Sequence, residues 1–83
     1  MKLLNIGFNS MVSSDRIVAL LTYDSAPVRR IIGIAKDKGL SIDATFGRRT
    51  RSVIIMDTGH VILSGISTDT IAARAAIPKD EPL

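Results

Sequence analysis

A small α+β fold, with a mainly antiparallel sheet and two helices assembling into a homo-oligomer, is what this sequence predicts. Three observations predict it. Apolar residues come in short runs of strand length separated by turn residues, as in Val53 to Met56 and Val61 to Leu63 on either side of Thr58-Gly59. One stretch, Val28 to Ala35, instead spaces its apolar residues as one face of a helix. The 83 residues are 46% hydrophobic but only 4% aromatic and contain no cysteine, so the chain is rich in aliphatic surface and lacks the disulfides that hold many small domains together. A chain of this length buries only about 60 to 65% of its unfolded surface, and association with further copies is the means of cover that remains.

Leu3 to Phe8 reads as a first strand, punctuated by Gly7 and closed by Asn9-Ser10. The next strand, 16 to 22, opens with Arg16 and continues through aliphatic and β-branched residues without helical gaps, the pattern of a strand covered on both faces. Asp24-Ser25-Ala26-Pro27 starts a helix over 27 to 38: Asp or Ser caps free N–H groups, and Pro27 belongs in the first turn, where a missing donor costs nothing. Val28, Ile31, Ile32 and Ala35 form its apolar face, Ile34 falls outside that stripe, and Gly39 closes it.

Leu40 to Thr45 alternates apolar and polar residues as a half-buried strand does. Phe46-Gly47 ends it, and a strand over 51 to 57 is expected to return antiparallel, which makes a hairpin with the arginines at its tip. A second hairpin through Thr58-Gly59 leads to a strand over 60 to 65, and neither of these strands shows a wet face in sequence. Ser67 or Thr68 caps a last helix over 69 to 76, and Pro78 stops it. One domain over residues 1–77 and a short, charged, disordered tail over 78–83 follow from this reading.

Eleven Lys and Arg against eight Asp and Glu give a net charge of +3, too modest an excess to name a partner by itself. Asn5, Gly7 and Asn9 interrupt the first apolar stretch before it could form a secretory core. No run approaches the ~18 apolar residues of a membrane span, so a cytoplasmic protein with no membrane partner is expected. Catalytic motifs with phosphate-binding glycines, zinc ligands or a nucleophile elbow are missing from the sequence, and His60, the one histidine, has no partner to make it a base or a metal ligand. The chain is therefore read as a non-enzyme with no cofactor and no metal.

What the sequence does offer is Gly47-Arg48-Arg49-Thr50-Arg51, with three arginines, a hydroxyl and no acid within the turn. A guanidinium keeps its charge and presents donors in a fixed fork, which suits phosphate and carboxylate. Such a cluster can also be a solvated face or pair with Asp15, Asp43 or Asp57. Repetition around an oligomer would join weak patches into one basic surface.

N-I-G-F at 5 to 8, S-A-P-V-R-R at 25 to 30, I-D-A-T-F-G-R-R-T-R at 42 to 51 and V-I-I-M-D-T-G-H-V-I-L-S at 53 to 64 resemble the RemA family of bacterial extracellular-matrix regulators. The likeness runs from residue 3 to about 76, with several motifs in one order. It implies a DNA-binding activator of biofilm matrix genes that forms a large ring-like homo-oligomer and binds double-stranded DNA. Its DNA-contacting arginines would fall on Arg48 and Arg49, with Arg16 as a further candidate; Arg51 joins them by spacing alone.

Arginines on this pattern can supply phosphate contacts, read guanine in the major groove or insert into a narrow minor groove, and the sequence does not separate these modes. The competing class is a structural or protein-interaction module whose arginines pair with an acidic partner. A nucleotide or small-anion sensor would need a pocket that the sequence does not reveal.

Overall fold

A computed structural model describes residues 2–75. Its strands are β1 (Leu3–Asn5), β2 (Met11–Ser13), β3 (Ile17–Thr22), β4 (Ser41–Asp43), β5 (Ser52–Met56) and β6 (Val61–Ser64). Its helices are α1 (Ala26–Asp37) and α2 (Thr68–Arg74), and a single 3-10 turn, Ser14–Arg16, precedes β3. The sheets are mixed but mostly antiparallel, so the α+β class is the observed one. The tail expected over 78–83 lies outside the described residues.

The main sheet has the order β3-β5-β6-β4, with β3 and β6 antiparallel to β5, and β4 parallel to β6. Alternate side chains leave opposite faces of it. On one face Val53, Val61 and Leu63 pack with Val28, Ile32 and Ala35 of α1. On the other, Ile54 and Ile62 pack with Leu4, Ile6 and Val12 of the β1–β2 hairpin and with Ile71 of α2. The central strands are therefore covered twice, which is why their sequences run apolar without alternation.

Local chemistry sets the helix ends. Ser25 Oγ accepts from the Val28 N–H at 3.2 Å, Pro27 lies in the first turn, and Gly39 takes a φ of +70° just beyond the C-terminus of α1. Ser67 Oγ accepts from the Thr70 N–H at 3.2 Å and starts α2.

Three expectations are corrected. The first strand is shorter than 3 to 8: it ends at Asn5, whose Oδ1 accepts from the Gly7 N–H at 2.7 Å, and the chain turns so that Leu3–Asn5 pairs back on Met11–Ser13, a strand not expected. β3 is an edge strand with a register shift between Ile17 and Ala19, and Val18 is 67% exposed rather than covered. Most important, β4 and β5 are not a hairpin. β4 runs parallel to β6, tied by the Val61 N–H donating to Leu40 O and the Ala44 N–H donating to Leu63 O, both at 2.9 Å. Residues 44–51 cross the end of β6 to reach β5. Alternation identifies a half-buried strand but carries no information on which neighbour it joins.

Candidate nucleic-acid interface

The crossing segment is held at several points. Asp43 Oδ1 accepts from the Thr45 N–H at 2.9 Å and from the Thr45 hydroxyl at 2.6 Å. These two bonds, the hydroxyl first, hold the Asp43 carboxyl below its ordinary value, with Lys36 adding a smaller effect in the same direction against a weak opposing desolvation. Next comes a tight turn in which the Arg48 N–H donates to Thr45 O at 3.1 Å, with φ of +55° at Phe46 and +81° at Gly47. Positive φ at both central residues is the type I′ pattern. The far end is fixed by the Arg51 N–H on Ser64 O at 2.9 Å and the Tyr23 N–H on Arg51 O at 3.2 Å. A Cβ at Gly65 would lie 3.5 Å from Arg49 O, which shows how closely the segment lies on the chain after β6.

Arg48, Arg49 and Arg51 all project from this rigid support and are exposed. The Arg48 guanidinium sits 4.7 Å from the centroid of the Phe8 ring. Arg49, with its side chain 81% exposed, lies 3.8 Å from Asp24, whose other oxygen lies 3.8 Å from Arg29. Arg29 in turn covers the Tyr23 ring at 5.2 Å. Arg49 and Arg51 line a cleft of about 290 Å³ together with Thr22, Asp24, Ser67, Thr68 and Asp69. The surface can form hydrogen bonds to anions from several directions, and loosely held ion pairs of this exposure contribute only about 0 to 1 kcal/mol each to stability.

The β1–β2 turn meets the same surface. There the Ser10 N–H donates to Gly7 O at 2.9 Å, and φ is +51° at Phe8 and +61° at Asn9. The Phe8 and Phe46 rings lie 5.4 Å apart, tilted by 43°. A left-handed backbone costs an L-residue roughly 1 to 2 kcal/mol. Arg29, Phe8 and Phe46 were not singled out by sequence reasoning. Phe-Gly ahead of the arginines and Val-Arg-Arg in the first turns of α1 are local signals, but only the fold brings them together.

Arg16 does not join the cluster. Its guanidinium lies 3.8 Å from Asp57, and the Asp57 N–H donates to Arg16 O at 2.9 Å. Arg16 precedes β3 and Arg51 precedes β5; because these strands are antiparallel, with Ile17 opposite Met56 and Thr22 opposite Ser52, their starts stand at opposite ends of the sheet. Of Asp15, Asp43 and Asp57, the acids weighed as partners for the arginine turn, Asp43 is engaged with Thr45 and Asp57 with Arg16; the acid found beside Arg49 is Asp24, which was not among them.

His60 Nδ1 lies 2.7 Å from the Thr58 hydroxyl in the exposed β5–β6 turn. Among the described residues there is no group of three His, Cys, Asp or Glu placed to hold a metal, and no helix long and apolar enough to cross a membrane.

A model of the RemA-like family, described as extracellular matrix regulatory protein A-like, matches residues 3–75. Relatives named "Putative regulatory protein" include one from Microcystis aeruginosa, 51% identical over 99% of this chain and 92% of its own. Another from Clostridium botulinum is 54% identical over 96% of this chain and 88% of its own. A third from Carboxydothermus hydrogenoformans is 56% identical over 88% and 84%.

Proposed function

The chain belongs to the RemA-like family, and from that premise we propose that it is a DNA-binding transcriptional regulator, activating extracellular-matrix genes, whose contact surface is the arginine segment repeated around a homo-oligomer. The observation that carries the reading is the placement of Arg48, Arg49 and Arg51, exposed on a segment whose backbone is fixed at Thr45, Arg48 and Arg51. Cations held this way meet phosphates with little ordering cost, and their contacts release counterions from the duplex. Names that speak of regulation, borne by relatives at 51 to 56% identity, accord with a regulatory rather than a catalytic role.

Self-association is supported by apolar side chains that the subunit leaves in water: Val18 is 67% exposed, Ile34 50% and Ile42 46%. Val18 lies on the edge strand β3, and Ile34 borders an apolar groove with Ile31, Leu40 and Ile55. Residues 1–77 act as a single unit in this reading. Arg16 would be a separate contact point at the other end of the sheet, about one strand length or ~17 Å from the segment.

The competing reading takes the arginines as a dock for an acidic protein, and the Asp24 carboxylate beside Arg29 and Arg49 is the observation in its favour. Fluorescence anisotropy with duplexes enriched from a random library and with scrambled duplexes, across a salt series, separates the two. Salt-dependent binding with preference for the enriched duplex is the expected result. No binding to either duplex at low salt would exclude the DNA reading, and light scattering in the same buffers reports the assembly.

A further inference from the structure

Phe8 and Phe46 occupy the same place in two turns of the same kind. Each is the first central residue of a turn with positive φ at both central positions, where Asn, Asp or Gly is favoured and a bulky side chain is an outlier. Burial does not account for them, because Phe8 is 47% exposed and Phe46 66% exposed, whereas the largest fully buried side chains are Ile6, Ile54 and Ile71. The two turns come from separate parts of the sequence, β1–β2 and β4–β5, and bring the rings to 5.4 Å, with Arg48 over Phe8 at 4.7 Å. Strain kept at exposed positions points to function rather than to packing.

We infer that Phe8 and Phe46 form an aromatic ledge within the DNA-contacting surface. Phe8 is a positioning residue that fixes the orientation of the Arg48 guanidinium, and the open ring of Phe46 makes an apolar contact with sugar and base edges beside it. The inference rests on the DNA-binding reading above. An arginine side chain is long and loses rotamer freedom when it binds; a ring beneath its planar group limits that freedom beforehand and leaves its edge donors for the ligand. An apolar ring next to such a cation is the pairing that groove-binding proteins use to combine charge with shape.

The test uses the full chain with Phe8→Leu, Phe8→Tyr and Phe46→Asn. Phe8→Leu is expected to weaken binding to the enriched duplex by about three- to tenfold, in line with loss of one cation–π contact per engaged subunit, while Phe8→Tyr keeps a ring and restores it. Phe46→Asn, which suits the turn better, is expected to leave the thermal midpoint unchanged or raised and to reduce discrimination between enriched and scrambled duplexes by about fivefold or more. In an Arg48→Ala background Phe8→Leu should have little further effect. Without DNA, the Arg48 side-chain proton resonances should lose an upfield ring-current shift in Phe8→Leu. Wild-type-like affinity and discrimination in all three variants, with wild-type binding intact, would overturn the ledge alone; absence of wild-type binding would overturn both proposals. A fall in oligomeric mass in Phe46→Asn would also overturn it, by placing the ring in a subunit contact.

Discussion

The carboxylate of Asp24 lies 3.8 Å from the guanidinium of Arg49. It comes from the residue just before the cap of α1, and it shares its charge with Arg29. Any phosphate that approaches Arg49 meets this carboxylate as a competitor. Asp24→Asn is expected to tighten DNA binding about two- to fourfold at low salt, with the gain shrinking as salt rises. Stability should change by no more than about 0.5 kcal/mol, since both side chains are mostly in water. Weaker binding in Asp24→Asn would show that the carboxylate supports the surface instead.

Arg48→Ala with Arg49→Ala should leave folding and assembly in place and remove most DNA binding. Both side chains are exposed, so stability should move by no more than about 0.5 kcal/mol per site, whereas each lost phosphate contact lowers the salt slope by about 0.9. Arg16→Ala should weaken binding independently of these changes, because Arg16 stands at the other end of β3. Groups this far apart combine additively, within about 0.5 kcal/mol. A strong coupling between Arg16 and Arg49 in a double-mutant cycle would mean that a neighbouring copy brings the two together.

Ser52 and Ser64 are opposite each other on β5 and β6, and both are fully buried. The Ser64 hydroxyl donates to Ile6 O at 2.7 Å and accepts from the Ile66 N–H at 3.1 Å. Ser52 Oγ has no partner among the described residues. Ser64→Ala should cost about 1 to 3 kcal/mol, because the Ile6 carbonyl is then left without its donor, while Ser52→Ala should be neutral or stabilising. Urea unfolding of the two variants measures the difference directly, and equal losses would count against this account.

Acid should act on Asp43. Its folded carboxyl titrates below the ordinary value of 3.8, chiefly through the Thr45 hydroxyl, so its contribution is fully present above that value. As pH falls below 3.8 the unfolded chain takes up the proton first, and the contribution disappears as pH drops through the folded value. Thr45→Val removes the larger cause and should move the Asp43 titration, followed by carboxyl carbon NMR, back toward 3.8. An unmoved titration would assign the effect to the backbone N–H alone.

Much of the scaffold could be read in the sequence because its signals are local. Ser25, Pro27 and Gly39 bound α1 within one residue or two, and Thr58-Gly59 marks the β5–β6 turn. The unbroken apolar runs of β5 and β6 announced a sheet covered on both faces. The order of strands was not legible, since Ile42 alternates with its neighbours in the same way whether β4 joins β5 or β6. β2 is only three residues long, Met11–Ser13, and too short for periodicity to reveal. In the candidate site, the exposure of Arg48, Arg49 and Arg51 was expected from their place in a turn after Gly47. The company they keep was not, because Phe8, Asp24 and Arg29 reach them through tertiary packing alone.

The hydrogen bond from Ser64 to Ile6 closes a span of 58 positions, and this has a kinetic consequence. Contacts between distant parts of a chain form late, after nearer ones have reduced the entropy of closing the loop. α1 and the β5–β6 turn can form early, and the arginine segment can settle on β6 before the N-terminal hairpin docks. If the hairpin docks in that order, a chain still in the course of folding would expose its guanidinium groups before the Phe8 ring reaches Arg48. On the DNA-binding reading proposed above, selective attachment would then await completion of folding, and unfinished chains would bind through nonspecific charge alone.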